Sequence, residues 1–251
     1  MTEAAISAPV DLSADLDRIE AAVQAGNTDL TALGFWRLVA RVKPDRLLVD
    51  RYAEQIGRID AAAFRAFTRF RVPVWVGNTI LLVGALVGLG AAIAARFVSS
   101  ETLAGLLLIA AGAIWTVALH CPTHWFVGYL ASIRFTDYFL GGPPPPRPGL
   151  KSDYASYLKA DPGSRAWMHA SGAIASKLAP FLALVFWPGS GAPWWSAAVL
   201  IAIGVITIVT DITLSVTKSD WKKFKRERTV AKTRIDQSRG TVAVTSSPAG
   251  S

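Results

Sequence analysis

Apolar and polar positions alternate differently along three parts of the chain. Over residues 1–72 the apolar side chains recur at helical spacing between charges. Asp11 to Gln24 places Leu12, Leu16, Ile19 and Val23 on one face, with Ser13 as a cap and Gly26 and Asn27 as the stop. Amphipathic helices are also expected over 31–43 and over 44–70, with Pro44 opening the latter. Phe35, Trp36, Leu47, Leu48, Tyr52, Ile56, Ile59 and Phe64 form their shared apolar face. The pattern predicts a helical cap of solvated outer faces and an apolar underside.

Long apolar runs follow. They predict about four transmembrane helices, over residues 73–95, 102–133, 170–187 and 194–216. A bilayer core of about 30 Å needs about 20 residues of helix, so the second run is longer than required, and Pro122 should kink it near its far end. Between the second and third runs lies a polar connection in which Phe135–Leu140 and Leu150–Leu158 predict a short β-hairpin. Its Pro143–Pro146 run favours a polyproline II segment. Trp187, Trp194 and Trp195 bracket the last short turn, at the depth aromatic side chains favour. The fold class is thus an all-α polytopic membrane protein with a cytoplasmic helical region over 1–72. Residues 218–251 follow as a basic cytoplasmic tail, largely disordered at its end.

Charge fixes the expected orientation. Residues 1–72 hold ten basic and ten acidic side chains, and residues 218–251 hold nine basic and three acidic, a net of +6 out of the total +8. Arg65, Arg69 and Arg71, then Arg134, Arg147, Lys151, Lys159 and Arg165, then Lys218, Lys222, Lys223, Lys225 and Arg226 all fall on one side of a four-span topology. The opposite turns carry only Arg96. The positive-inside rule makes the charged side cytoplasmic, with both termini there and the protein in the cell membrane. A basic stretch next to a span suits anionic lipid headgroups, here through residues 218–239, better than it suits nucleic acid. The single cysteine, Cys121, permits no internal disulfide. No secretory signal is expected, because the first 30 residues lack a basic start and an apolar core.

Ionisable residues within apolar spans are functional candidates because they are costly to insert. His120 and His124, spaced i, i+4, share a helix face and can ligate one metal ion. Asp211 lies at matching depth in the fourth run and would complete a three-ligand zinc site with an open position for water. Against this stands a plain alternative: interfacial histidines bonded to carbonyls, with Asp211 paired to Lys177. His169 at the head of the third run reads as an interface residue.

The segment Ala118-Leu119-His120-Cys121-Pro122-Thr123-His124-Trp125 resembles the zinc-binding helix of intramembrane site-2 proteases, whose motif is His-Glu-x-x-His. Over about residues 102–216 the order of elements is similar, including a strand region after the motif and a later aspartate that maps onto Asp211. The resemblance implies zinc on His120, His124 and Asp211, and a membrane-protein substrate or partner. Cys121 occupies the position of the family's glutamate, the general base on metal-bound water. A thiol titrating near 8.5 substitutes poorly for it. The expectation is therefore a metal site without ordinary peptidase activity, a pseudoprotease, or one in which Cys121 serves as a catalytic nucleophile or further ligand. Ile212 also replaces the glycine that follows the family's aspartate. The other function class is a non-enzymatic scaffold or complex subunit, binding a protein or anionic lipid through its cytoplasmic parts. A transporter fits less well, for want of repeats and buried polar groups.

Overall fold

The computed structural model describes residues 11–141, 147–213 and 219–245. It is mostly helical with a small three-stranded sheet. The Pro143–Pro146 run lies outside the described residues.

Three helices build the cap: α1 (Ser13–Gln24), α2 (Phe35–Val42) and α3 (Arg46–Phe67). Ser13 is the first residue of α1 and Leu12 stands at the capping position, while Asp11 Oδ1 accepts from Ser13 N at 2.9 Å. Gly26 ends α1 with φ of 96°, a left-handed turn that suits glycine. Pro44 stands outside α3, because Asp45 takes the capping position and accepts from Leu47 N and Leu48 N. Leu16, Ile19, Phe35, Val42, Ile56 and Ile59 are fully buried against one another, and Leu158 from further along the chain joins them. The hydroxyl of Tyr52 accepts from Leu12 N at 3.2 Å and donates to Asp11 at 3.0 Å, holding the start of α1 on α3.

Strand β1 (Arg71–Pro73) leads directly into α4 (Val74–Ala94), and α5 (Glu101–Ala118) follows. With α9 (Trp194–Thr213) these are the helices long and apolar enough to cross a membrane, among the described residues. Only 17% of the apolar window of α4, and of that of α9, is buried within the protein. Their outward Ile80, Leu86, Ile201 and Ile206 are the exposed apolar surface that a lipid environment covers. Helices approach closely through small residues: a Cβ on Gly88 would meet Trp115 Nε1 at 2.7 Å, and one on Gly112 would meet Leu200 at 2.8 Å. Trp115 Nε1–H donates to the Ala85 carbonyl at 2.9 Å.

The expected second run of 102–133 is two helices, α5 and α6 (His120–Leu130), broken at Leu119. Pro122 has no N–H to give the Ala118 carbonyl, and its ring crowds that carbonyl, so the regular ladder stops there. The hairpin is present with altered bounds: β2 (Phe135–Gly141) pairs antiparallel with β3 (Arg147–Ser152), and β1 adds to the other edge of β2 in the order β1-β2-β3. Residues 154–159 form helix α7 rather than continuing the strand. Tyr138 on β2 seats over Gly77, and its hydroxyl donates to Asn78 Oδ1 at 2.8 Å, which accounts for the polar residue in the first span. Lys151 on β3 pairs with the buried Asp60 of α3, fixing the sheet to the cap. Burial pushes the Asp60 carboxyl above its ordinary range, although Lys151 opposes that push.

The third run is the later part of α8 (Pro162–Leu184), which begins below the apolar stretch and carries Arg165, His169 and Lys177. Within the stretch expected as a basic tail disordered at its end, residues Asp220–Thr245 form a helix, α10, and residues 246–251 lie outside the described residues. It docks along α8, antiparallel to it. Phe224 meets Trp167 at 5.6 Å, Glu227 meets Arg165 at 2.9 Å, and Arg234 reaches the Lys43 carbonyl at 2.7 Å. α10 therefore runs from the ends of the spans toward the cap.

Removing one partner of a buried pair strands the other charge. Asp60→Ala is expected to destabilise the fold by about 3 kcal/mol, and the double variant Asp60→Leu with Lys151→Met to recover most of this. Denaturant unfolding of the detergent-solubilised protein measures both.

Candidate metal centre

α6 carries His120 and His124 one turn apart, their rings edge-on with centroids 4.7 Å apart. His124 is buried and His120 half-buried. Each ring is fixed by a bond at Nδ1. His124 Nδ1 lies 2.6 Å from the Met168 carbonyl, which can only accept, so Nδ1 carries the proton. The Gly172 N–H also approaches that nitrogen, at 3.4 Å. It is the longer and weaker contact, and the carbonyl decides the tautomer. His120 Nδ1 lies 2.9 Å from Ser176 Oγ. Ser176 has one hydroxyl proton, given to the Thr116 carbonyl at 3.0 Å, so its oxygen accepts from His120. Both rings thus turn an unprotonated Nε2 the other way. Metal-ligating histidines have this arrangement, an outer partner on one nitrogen and the metal on the other.

Asp220, the first residue of α10, stands opposite both. Its Oδ2 is 3.5 Å from His120 Nε2 and 3.4 Å from His124 Nε2. Ligand atoms from all three residues lie within 4.8 Å of one another. Its other oxygen, Oδ1, pairs with Lys223 Nζ at 3.1 Å, which favours the ionised carboxylate. Three acceptors facing each other need a cation among them: either a proton, making one ring an imidazolium, or a metal ion. A charge-assisted N–H···O bond runs about 2.7–2.9 Å. Ligands at about 2.05 Å around a tetrahedral zinc stand about 3.3 Å apart. The two histidine–carboxylate separations, 3.5 and 3.4 Å, lie nearer the second spacing.

α8 forms the back wall. A Cβ on Gly172 would lie 2.3 Å from His124 Nε2 and 2.7 Å from the His120 carbonyl, so glycine is what lets α6 approach. Asp211, the aspartate expected as third ligand, is not brought to the histidines. It pairs with Lys177 at 2.7 Å, and Lys177 also donates to the Ala173 carbonyl. The physical reason is proximity between α8 and α9, which gives Asp211 a local ion-pair partner. Cys121 is a buried free thiol outside the ligand cluster. His169 bonds the Tyr157 hydroxyl through Nε2 at 2.9 Å and takes no part.

Asp220 was hidden in a stretch that charge counting reads as tail. Its signal was there: Asp220, Phe224, Glu227, Ala231 and Arg234 recur at helical spacing, and Ser219 precedes them as a cap, accepting from Lys222 N at 3.4 Å. Three protein ligands leave a metal ion one open position, at which it would polarise a bound water or anion. Comparison with protein-family models, curated proteins and solved structures gives no match.

Two substitutions that replace no ligand test this geometry. Gly172→Ala should abolish metal binding by forcing α6 off α8. Ser176→Ala, which frees the His120 ring, should weaken zinc affinity by roughly 10- to 100-fold. Competition titration with a chromophoric chelator gives both values.

Proposed function

We propose that this chain is a multi-pass membrane protein that holds a zinc ion on His120, His124 and Asp220, where its cytoplasmic cap meets the bilayer. The observation that carries the reading is the pair of rings held at Nδ1, with both Nε2 atoms facing the Asp220 carboxylate at 3.5 and 3.4 Å.

In this reading α8 is a fourth passage. The starts of α4 and α9's partner α8, and the ends of α5 and α9, then all lie on the cap side. Support comes from the far side as well, where Arg96 of the α4–α5 turn donates to the Pro188 carbonyl of the α8–α9 turn at 3.0 Å. The cap side holds nearly all the basic residues, which makes it cytoplasmic and places both ends there, in the cell membrane.

The resemblance to site-2 proteases extends to paired histidines on a helix broken near the membrane edge, followed by strands. It differs in taking its carboxylate from α10, beyond the last apolar helix. It differs also in offering Cys121 where a general base is needed. The centre is accordingly a Lewis-acidic or structural metal site without ordinary peptidase activity.

A scaffold role is favoured by one further observation. α10 turns Asp220 and Glu227 inward, while Lys222, Lys225, Arg226, Arg228 and Lys232 are exposed. That outer face suits an anionic partner, lipid headgroups at its membrane end or an acidic protein surface farther out.

Purified without chelator in detergent, the wild type is expected to carry about one zinc per chain, the count that a three-ligand site implies. His120→Ala and Asp220→Asn should lose it, and Asp211→Asn should keep it. Elemental mass spectrometry decides. A wild type without metal after zinc is supplied, or loss in Asp211→Asn with retention in Asp220→Asn, sinks the assignment.

A further inference from the structure

The face that α10 turns inward does two things. Asp220 completes the metal cluster. Glu227, seven residues on and about 10 Å along the helix, is fully buried in a cluster of charges. Its Oε1 takes Lys43 Nζ at 2.6 Å, and its Oε2 lies 2.9 Å from Arg165 Nε. Lys43 closes α2 of the cap, and Arg165 stands on α8. Arg234, a further turn or two along, grips the Lys43 carbonyl through Nε and Nη2 at 3.2 and 2.7 Å. One helix face therefore joins the metal ligands to the cap.

That junction is not self-sufficient. The side chains of Arg165 and Glu227 are 0% exposed and that of Lys43 7%. Removing such charges from water is costly and is offset only by complete bonding. Here the bonding is incomplete. Arg165 Nε and Glu227 Oε2 are close in distance but misaligned as a hydrogen bond, and Arg165 Nη2 has no hydrogen-bond partner among the described residues. A half-satisfied buried cluster leaves docking finely balanced. A metal ion that ties the first residue of the same helix to α6 adds a favourable contribution present only when α10 is docked.

We infer that metal binding at Asp220 and docking of α10 on the cytoplasmic cap are one linked equilibrium, so that the cap regulates the metal site. This rests on the metal reading given above. Linkage is reciprocal: whatever loosens α10 from the cap weakens the metal, and removing the metal loosens α10 by the same factor. If a substitution lowers the docked fraction to about one tenth, the apparent Kd for zinc rises about tenfold. Glu227 and Lys43 are then positioning residues for a site that neither touches. A protein that binds the cap around Lys43 would change zinc occupancy without approaching it.

The test uses full-length protein in detergent with zinc as the probe. Zinc Kd is measured for wild type, Glu227→Gln, Lys43→Met and Lys225→Gln, the last on the exposed face as a control. Hydrogen exchange of wild-type peptides over 219–236, with zinc and with chelator, provides a readout that needs no variant to fold. Expected are Kd values at least tenfold weaker for Glu227→Gln and Lys43→Met, an unchanged Kd for Lys225→Gln, and exchange over 219–236 at least fivefold faster in chelator. Exchange over 47–60 of α3 should not change. Zinc bound by the wild type with equal Kd in all variants, or with α10 exchange indifferent to zinc, overturns the coupling and leaves the site standing. A wild type that binds no zinc overturns both.

Discussion

Two unprotonated imidazole nitrogens and a carboxylate oxygen turned toward one another repel unless a cation lies among them. The arrangement around His120, His124 and Asp220 follows from that requirement. Pro122 breaks the α5–α6 run just before the histidines, which lets α6 depart from the direction of α5. Gly172 lets α6 lie against α8, where Met168 and Ser176 fix the two tautomers. α10 returns along α8 to deliver Asp220. Each device is local, and each concerns where a lone pair points.

The packing around the site shows how this is held between the apolar helices and the cap. Below it, small residues and Trp115 pack the apolar helices, and the outward surface of α4 and α9 is apolar. Above it, α1, α2 and α3 bury an ordinary hydrophobic core, joined to the rest by Leu158, by the Asp60–Lys151 pair and by the charges around Glu227. The sheet lies between, tied to α4 through Tyr138 and to α3 through Lys151. The His120–His124–Asp220 cluster thus sits at the junction of the apolar-surfaced helices and the cap. α10 is the element that belongs to both.

Much of the fold was legible in the chain because its signals are local. Apolar runs of eighteen residues or more mark α4, α5 and α9, and the spacing of Leu12, Leu16, Ile19 and Val23 marks α1. Pro122 marks the break. The histidine pair was legible for the same reason, since i, i+4 spacing alone puts both rings on one face. The third member of the cluster was not, because its partners lie about a hundred residues away and its surroundings are basic. Net charge over a segment conceals direction: Asp220 and Glu227 turn inward while five cations turn out. Asp211 looked suitable by depth, yet depth does not say which helix is nearer, and Lys177 is nearer. The strand β1 escaped notice because three residues carry no readable period.

X-ray absorption at the zinc edge tests the central claim most directly, since it reads the ligand atoms themselves. The account expects two imidazoles and a light oxygen or nitrogen shell at about 2.0–2.1 Å, with no sulfur. A zinc–sulfur distance of about 2.3 Å would place Cys121 in the shell, and a spectrum without imidazole scattering would remove the histidines from it. Either would contradict the centre described here.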